Sequence, residues 1–242
     1  AKITTRISMN THRSPMSSDI LSMPSIPTGG MRYKWVYTPA QTELVAAISQ
    51  RYAISPALAE VVCNRGYDSL SLPDYLFTDR SQVHDPRLLK GAGAAVERIM
   101  RAIAEQEKIL VVGDYDVDGI TSTSLVIKTL KKLGAVCNFF IPNRTIDGYG
   151  INVSIVERAI QNNYRLIITV DNGITALEAA QAAHDGGIDL IITDHHQPKE
   201  VLPCATIIVN PHQPGCDYPF KNLAGVGVAF KVMSLLVSEM GA

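Results

Sequence analysis

Three carboxylates, Asp114, Asp116 and Asp118, occupy alternate positions of Gly113-Asp-Tyr-Asp-Val-Asp-Gly119, directly after the apolar run Ile109–Val112. A second apolar run leads into Thr193-Asp-His-His196, which sets one acid beside two imidazoles, and a third, Leu166–Val170, leads into Asp171. If these runs are parallel strands, their ends emerge on one edge of one sheet, where open α/β folds build their sites. Carboxylate oxygens and imidazole nitrogens converging on one crevice suit hard or borderline divalent cations such as Mn²⁺ or Mg²⁺. The leading chemistry for such a set is metal-assisted hydrolysis of a phosphoester.

Each group has competing readings. The pattern Asp114-x-Asp116-x-Asp118-Gly119 also matches the first half of a calcium-binding EF-hand loop, but that loop needs a bidentate Glu at its twelfth position, where this chain has Leu125. An Asp-x-Asp pair with a nucleophilic first acid, as in haloacid-dehalogenase-type phosphatases, gives the downstream Asp-His-His no role. A solvated, helix-capping turn explains one or two of the acids. Three within five residues repel one another unless a cation neutralises them. A lone histidine is usually structural, yet at a strand-to-loop junction His195 can face a metal while His196 faces substrate. Asp194 is then placed to hold an imidazole tautomer or the loop backbone. Asp171, followed by Asn172-Gly173, would by itself be a turn acid; its place at a third strand end gives it weight.

The elements that must position these residues follow from periodicity. Apolar runs at Ile109–Gly113, Val136–Ile141, Leu166–Val170, Leu190–Thr193 and Thr206–Val209 alternate with helical stretches near Gly119–Leu133, Asn152–Asn162 and Thr175–His184. The alternation predicts an α/β domain over residues 109–242, a mainly parallel sheet with helices on both faces built from right-handed βαβ units. Gly134, Gly186 and Gly187 sit where helix C-terminal caps are expected, and a last helix runs near Val226–Glu239. Before the domain, residues 31–108 read as a helical region. Leu44, Ala47, Ile48 and Arg51 follow helical spacing, Ser55-Pro56 is an N-cap with a first-turn proline, and Gly66 is a stop. Gly91–Gln106 carries Ala95, Ile99, Ala102 and Ile103 on one stripe, suited to packing on the sheet that follows.

Composition adds bounds. The 242 residues suffice for one generous domain or a domain with a smaller companion. The formal net charge of −1 means that any nucleic-acid contact must come from a local patch. Cys63, Cys137, Cys204 and Cys216 are scattered without a CxxC pair, which predicts reduced thiols in a cytoplasmic protein rather than disulfides or structural zinc. No apolar run approaches the roughly 18 residues of a membrane span. Residues 1–30, rich in Ser, Thr, Met and Pro, read as a disordered tail. Its Lys2, Arg6 and Arg13 against Asp19 superficially resemble a transit peptide, but no amphipathic helix is evident. Met31 is a candidate native start, and the initial Ala suggests processing or a fragment.

Taken together, the segments Val111-Val-Gly-Asp-Tyr-Asp-Val-Asp-Gly119, Thr169-Val-Asp-Asn-Gly-Ile174 and Thr193-Asp-His-His196 resemble the first three motifs of the DHH phosphoesterases. Asp85–Gly91, Pro142-Asn-Arg-Thr-Ile-Asp-Gly-Tyr-Gly150, Val209-Asn-Pro211 and Leu223–Lys231 are similar to the branch of 5′→3′ exonucleases specific for single-stranded DNA in repair and recombination. The resemblance runs from about Trp35 to Val237. It implies two Mn²⁺ or Mg²⁺ ions, with Asp116 and Asp118 each on one, Asp171 bridging them, His195 completing a shell and Asp114 a direct or outer ligand. His196 would contact the scissile phosphate, with Asp194 as its catalytic companion, and Arg144 would be a phosphate clamp through its planar fork. Single-stranded DNA is the implied substrate, with a single-strand-binding protein or a helicase as candidate partners.

The same resemblance implies a further metal-binding aspartate after the helix ending near Glu239, and then a second domain that clamps substrate. Asp217 is not that residue. The expectation is therefore of the N-terminal part of a longer enzyme, inert or weakly active alone. Two other classes stay open. A DHH relative acting on short oligonucleotides, a cyclic dinucleotide, a nucleoside bisphosphate or pyrophosphate would carry the same catalytic motifs. A non-catalytic interaction module of DHH type would usually have lost motif carboxylates, whereas here those named are intact.

Overall fold

A computed structural model describes residues 40–77, 79, 82–143 and 148–241. The expected tail, residues 1–30, and the expected phosphate clamp, Arg144, lie outside them. The described residues form two compact units, divided after Phe77.

In the first unit, α1 (Thr42–Tyr52), α2 (Pro56–Asn64) and the short α3 (Leu72–Leu76) enclose Ile48, Ala59, Val62 and Leu72. The Ser55 hydroxyl accepts from Leu58 N–H at 3.2 Å and Pro56 occupies the first turn, so the cap read from sequence sets the start of α2.

The second unit runs α4 (Ala92–Ala104), β1 (Ile109–Val112), α5 (Val117–Lys132), β2 (Cys137–Phe140), α6 (Val153–Gln161), β3 (Leu166–Val170), α7 (Leu177–Asp185), β4 (Asp189–Thr193), β5 (Ile207–Val209) and α8 (Gly225–Glu239). All the strand pairings are parallel, in the order β2-β1-β3-β4-β5. Successive strand side chains face opposite ways, so the apolar runs feed two cores. Ile109, Val111, Ile168, Ile191 and Val209 pack with α4, α5 and α8, while Leu110, Val112, Ile167, Leu190 and Ile192 pack with α6 and α7. Helices thus cover both faces, and burying each such side chain contributes roughly 1.5–3 kcal/mol. Residue 108, where the helical pattern gives way to strand, lies inside this unit, because the apolar stripe of α4 is part of the first core.

The order places β1 between β2 and β3: the chain passes from β1 to β2 on one side and then crosses back over β1 to β3 on the other, the reversal at whose carboxyl edge open α/β folds place their sites. Register brings the strand ends level: Val112 pairs with Thr169 and Val170 with Thr193. The residues that follow these ends are the ones singled out for chemistry.

Candidate metal centre

The first acidic segment divides its duties. Asp114 is buried, and its Oδ1 accepts the Tyr115 N–H at 2.8 Å. Asp116 is the N-cap of α5, its Oδ1 accepting Gly119 N–H at 2.9 Å. That cap starts the helix at Val117, two residues before the Gly119 read from periodicity, so Asp118 stands in the first helical turn rather than in a loop. Gly119 is required here because a Cβ would lie 2.5 Å from the backbone nitrogen of Asp114. Both carboxylate oxygens of Asp118 accept backbone N–H groups of α8: Oδ2 from Gly225 and Oδ1 from Val226, each at 2.7 Å.

Asp171 follows β3 with φ 63°, a left-handed conformation uncommon for a residue with a side chain. Its neighbour explains how the turn is held. Asn172 is fully buried; its Nδ2 donates to Val112 O and Val170 O at 3.0 and 2.9 Å, and its Oδ1 accepts Ile151 N–H at 3.0 Å. One side chain thereby ties the ends of β1 and β3 to the segment before α6.

After β4, Asp194 organises the histidine pair. Its Oδ1 accepts the N–H groups of His195 and His196 at 2.7 and 3.1 Å and lies 2.7 Å from His196 Nδ1, while Oδ2 accepts Ile174 N–H at 3.0 Å. Burial alone would raise the Asp194 pKa, but the His196 bond and the backbone donors outweigh it and hold it below the usual carboxylate value. The same hydrogen bond raises the His196 pKa. His195 turns the other way, with Nε2 3.2 Å from Asp171 Oδ1 and 3.7 Å from Asp118 Oδ2.

Ligand atoms of Asp114, Asp116 and Asp171 lie within 4.8 Å of one another, as do those of Asp171, His195 and His196. Asp171 belongs to both groups. Its Oδ1 is buried and accepts no hydrogen bond, with His195 Nε2 3.2 Å away. Burial, together with the charges of Asp118 and Asp116, pushes its pKa up to about 8. Burial also raises the pKa of Asp114, with Asp116 adding to it. A buried carboxyl without a hydrogen bond among other carboxylates is costly to ionise without a counter-charge. A divalent cation with oxygen and imidazole ligands fits that set.

Several residues at the site escape a reading of the sequence. Asn172 shows there only as part of a turn, and Gly225 only within a resembling segment. Tyr149, about half exposed, sets its ring edge-on to His196 at 6.3 Å, and partial desolvation together with the charges of Asp114, Asp194 and Asp171 raises its hydroxyl pKa. On the β5 side, Asn210 Nδ2 donates to His196 O at 2.9 Å and His212 N–H donates to Asn210 Oδ1 at 2.8 Å. One local signal exists. The segment before α8 offers Ala224 as N-cap, so the helix must find acceptors elsewhere for its first N–H groups.

Comparison with known proteins shows the family. Residues 108–241 match the DHH family, N-terminal domain. The single-stranded-DNA-specific exonuclease RecJ of Bacillus subtilis is 43% identical over 210 residues, covering 86% of this chain and 27% of that protein. The chain therefore spans about a quarter of that relative's length. Among solved structures, Thermus thermophilus RecJ in complex with Mn²⁺ matches with TM-score 0.65 and 27% identity, over 83% of this chain and 28% of that one. An exonuclease RecJ bound to manganese matches with TM-score 0.59 and 35% identity, over 63% and 39% of the two chains.

Proposed function

The chain belongs to the DHH family, and from that premise we propose that it carries the metal centre of a phosphodiesterase that degrades single-stranded DNA from its 5′ end. The observation that carries the reading is the unpartnered, buried Oδ1 of Asp171 between two groups of ligand atoms. The likeness to exonucleases named for single-stranded DNA directs it to that substrate.

Asp114, Asp116, Asp118, Asp171 and His195 would hold two Mn²⁺ or Mg²⁺ ions. When bound, such ions lower the pKa of a water and neutralise non-bridging phosphate oxygens. The chain's own residues do the rest. Asp194 holds the Nδ1 proton of His196 and raises the pKa of the ring, so the imidazolium form can donate its Nε2–H to a phosphate oxygen. Arg144 is retained in this reading as a second phosphate contact, since a guanidinium fork matches two oxygens. A site at the bottom of a crevice admits one unstacked strand more readily than a stiff duplex. The strand must therefore arrive unpaired, which is the reason to expect a single-strand-binding protein or a helicase alongside.

A cytoplasmic setting fits this role. Cys63, Cys137, Cys204 and Cys216 are free thiols. Among the described residues no helix is long and apolar enough to cross a membrane.

The test places residues 31–241 in the corresponding segment of the Bacillus subtilis relative and assays end-labelled DNA in Mn²⁺. The chimera should shorten single strands from the 5′ end and spare blunt duplex, and its Asp171→Ala form should be inactive. Equal rates on duplex and single strand would overturn the substrate assignment, and hydrolysis confined to dinucleotides or pyrophosphate would favour a small-substrate DHH enzyme.

A further inference from the structure

Helix α8 begins without a capping side chain of its own, and its first N–H groups are taken up by a residue 107 positions earlier in the chain. Gly225 and Val226 donate one to each oxygen of Asp118. The same Gly225 touches the second carboxylate: a Cβ built on it would fall within 2.7 Å of Asp171 Cβ and Cγ and closer still to Oδ1, the oxygen without a partner. Asp171 cannot retreat, because its backbone N–H is bonded to Thr193 O at 3.0 Å and Asn172 locks the turn behind it. The close approach of α8 therefore fixes two acids of the centre at once, one by hydrogen bonds and one by the absence of a side chain.

We propose that the N-terminal turn of α8 is the positioning device of the metal centre, setting Asp118 and Asp171 so that cation binding and the seating of α8 are energetically coupled. Each carboxylate oxygen has a lone pair left after accepting one N–H, so Asp118 can keep both bonds to α8 while it meets a cation. Linkage is reciprocal: whatever displaces the turn weakens cation binding, and a bound cation strengthens the seat of the turn. Gly225, Val226 and the turn they begin are positioning groups and need not touch substrate. The inference rests on Asp118 and Asp171 being metal ligands.

The test is calorimetric titration of residues 1–242 with Mn²⁺, comparing wild type, Gly225→Ala and Gly227→Ala, with thermal unfolding and circular dichroism as fold checks. Gly227 is the control on the same helix: a Cβ there meets only the Leu223 side chain, at 3.3 Å or more, and both substitutions favour helix. The expected result is a loss of Mn²⁺ affinity of about tenfold or more in Gly225→Ala, the scale seen when the support of a ligand is removed, with Gly227→Ala within about twofold of wild type. Equal affinity in all three overturns the inference and leaves the metal centre standing. No Mn²⁺ binding by wild type overturns both. Hydrogen exchange of the wild-type α8 N-terminus with and without Mg²⁺ tests the coupling with no substitution: amide protection should rise with the cation, and unchanged protection counts against the proposal.

Discussion

Nδ1 of His196 lies 2.7 Å from Oδ1 of Asp194, an oxygen that also receives the backbone N–H of His196 itself. The ring is thus held from both ends by one buried carboxylate, and its proton is held on the nitrogen facing the protein. Replacing Asp194 by Asn removes the charge that favours imidazolium. The His196 pKa is raised in the intact pair, so its NMR titration midpoint should fall in Asp194→Asn. An unchanged midpoint would mean that the Asp194 charge does not raise the His196 pKa.

Cation binding should depend on Asp171 more than on any single exposed acid. Isothermal titration of wild type and Asp171→Ala with Mn²⁺ measures this directly. Losing the partner of a ligand costs roughly 10–100-fold in affinity, and losing a direct oxygen ligand should cost at least about as much. Equal binding by the two proteins would sink the assignment of Asp171 as the shared ligand.

The raised pKa of Asp171 also predicts how stability depends on pH. An unfolded aspartate titrates near 3.9, whereas the folded group titrates at about 8. Between those values the folded state holds a proton that the unfolded state has released. Stability of the metal-free protein from this group should therefore be fully present below about pH 4 and decline as pH rises toward 8, by at most about 1.4 kcal/mol per pH unit. Mn²⁺ supplies the counter-charge in place of the proton, so its stabilising effect should be larger at pH 8 than at pH 6. Urea titrations at the two pH values, in EDTA and in Mn²⁺, provide the check; a metal effect independent of pH would contradict it.

Asn172→Ala should destabilise the protein without removing a ligand. The truncation leaves Ile151 N–H, Val112 O and Val170 O short of a partner in the interior. An unsatisfied buried group costs about 1–3 kcal/mol. A loss of about 3 kcal/mol in urea unfolding is expected, and a loss below about 1 kcal/mol would show that water or backbone shifts replace the amide.

Much of this protein is written locally in its sequence. Each of the strand runs named from the sequence overlaps a strand of the parallel sheet, because a strand buried on both faces is a short continuous apolar run that near neighbours alone define. Asp114, Asp116, Asp118, Asp171, Asp194, His195 and His196 are legible for the same reason: each follows an apolar run, and a parallel sheet sends all such ends to one edge. The start of α5 lies two residues earlier than periodicity places it because Asp116 serves as a cap as well as an acid, and side-chain patterns do not reveal that double use. What only the tertiary structure decided is which groups meet across long separations. Asp118 finds the α8 turn 107 residues away, Asn172 reaches back 60 residues to Val112, and Gly225 is needed for a carboxylate far upstream of it. Those contacts depend on strand order and on the seating of α8 against the sheet, and chain packing in three dimensions sets both.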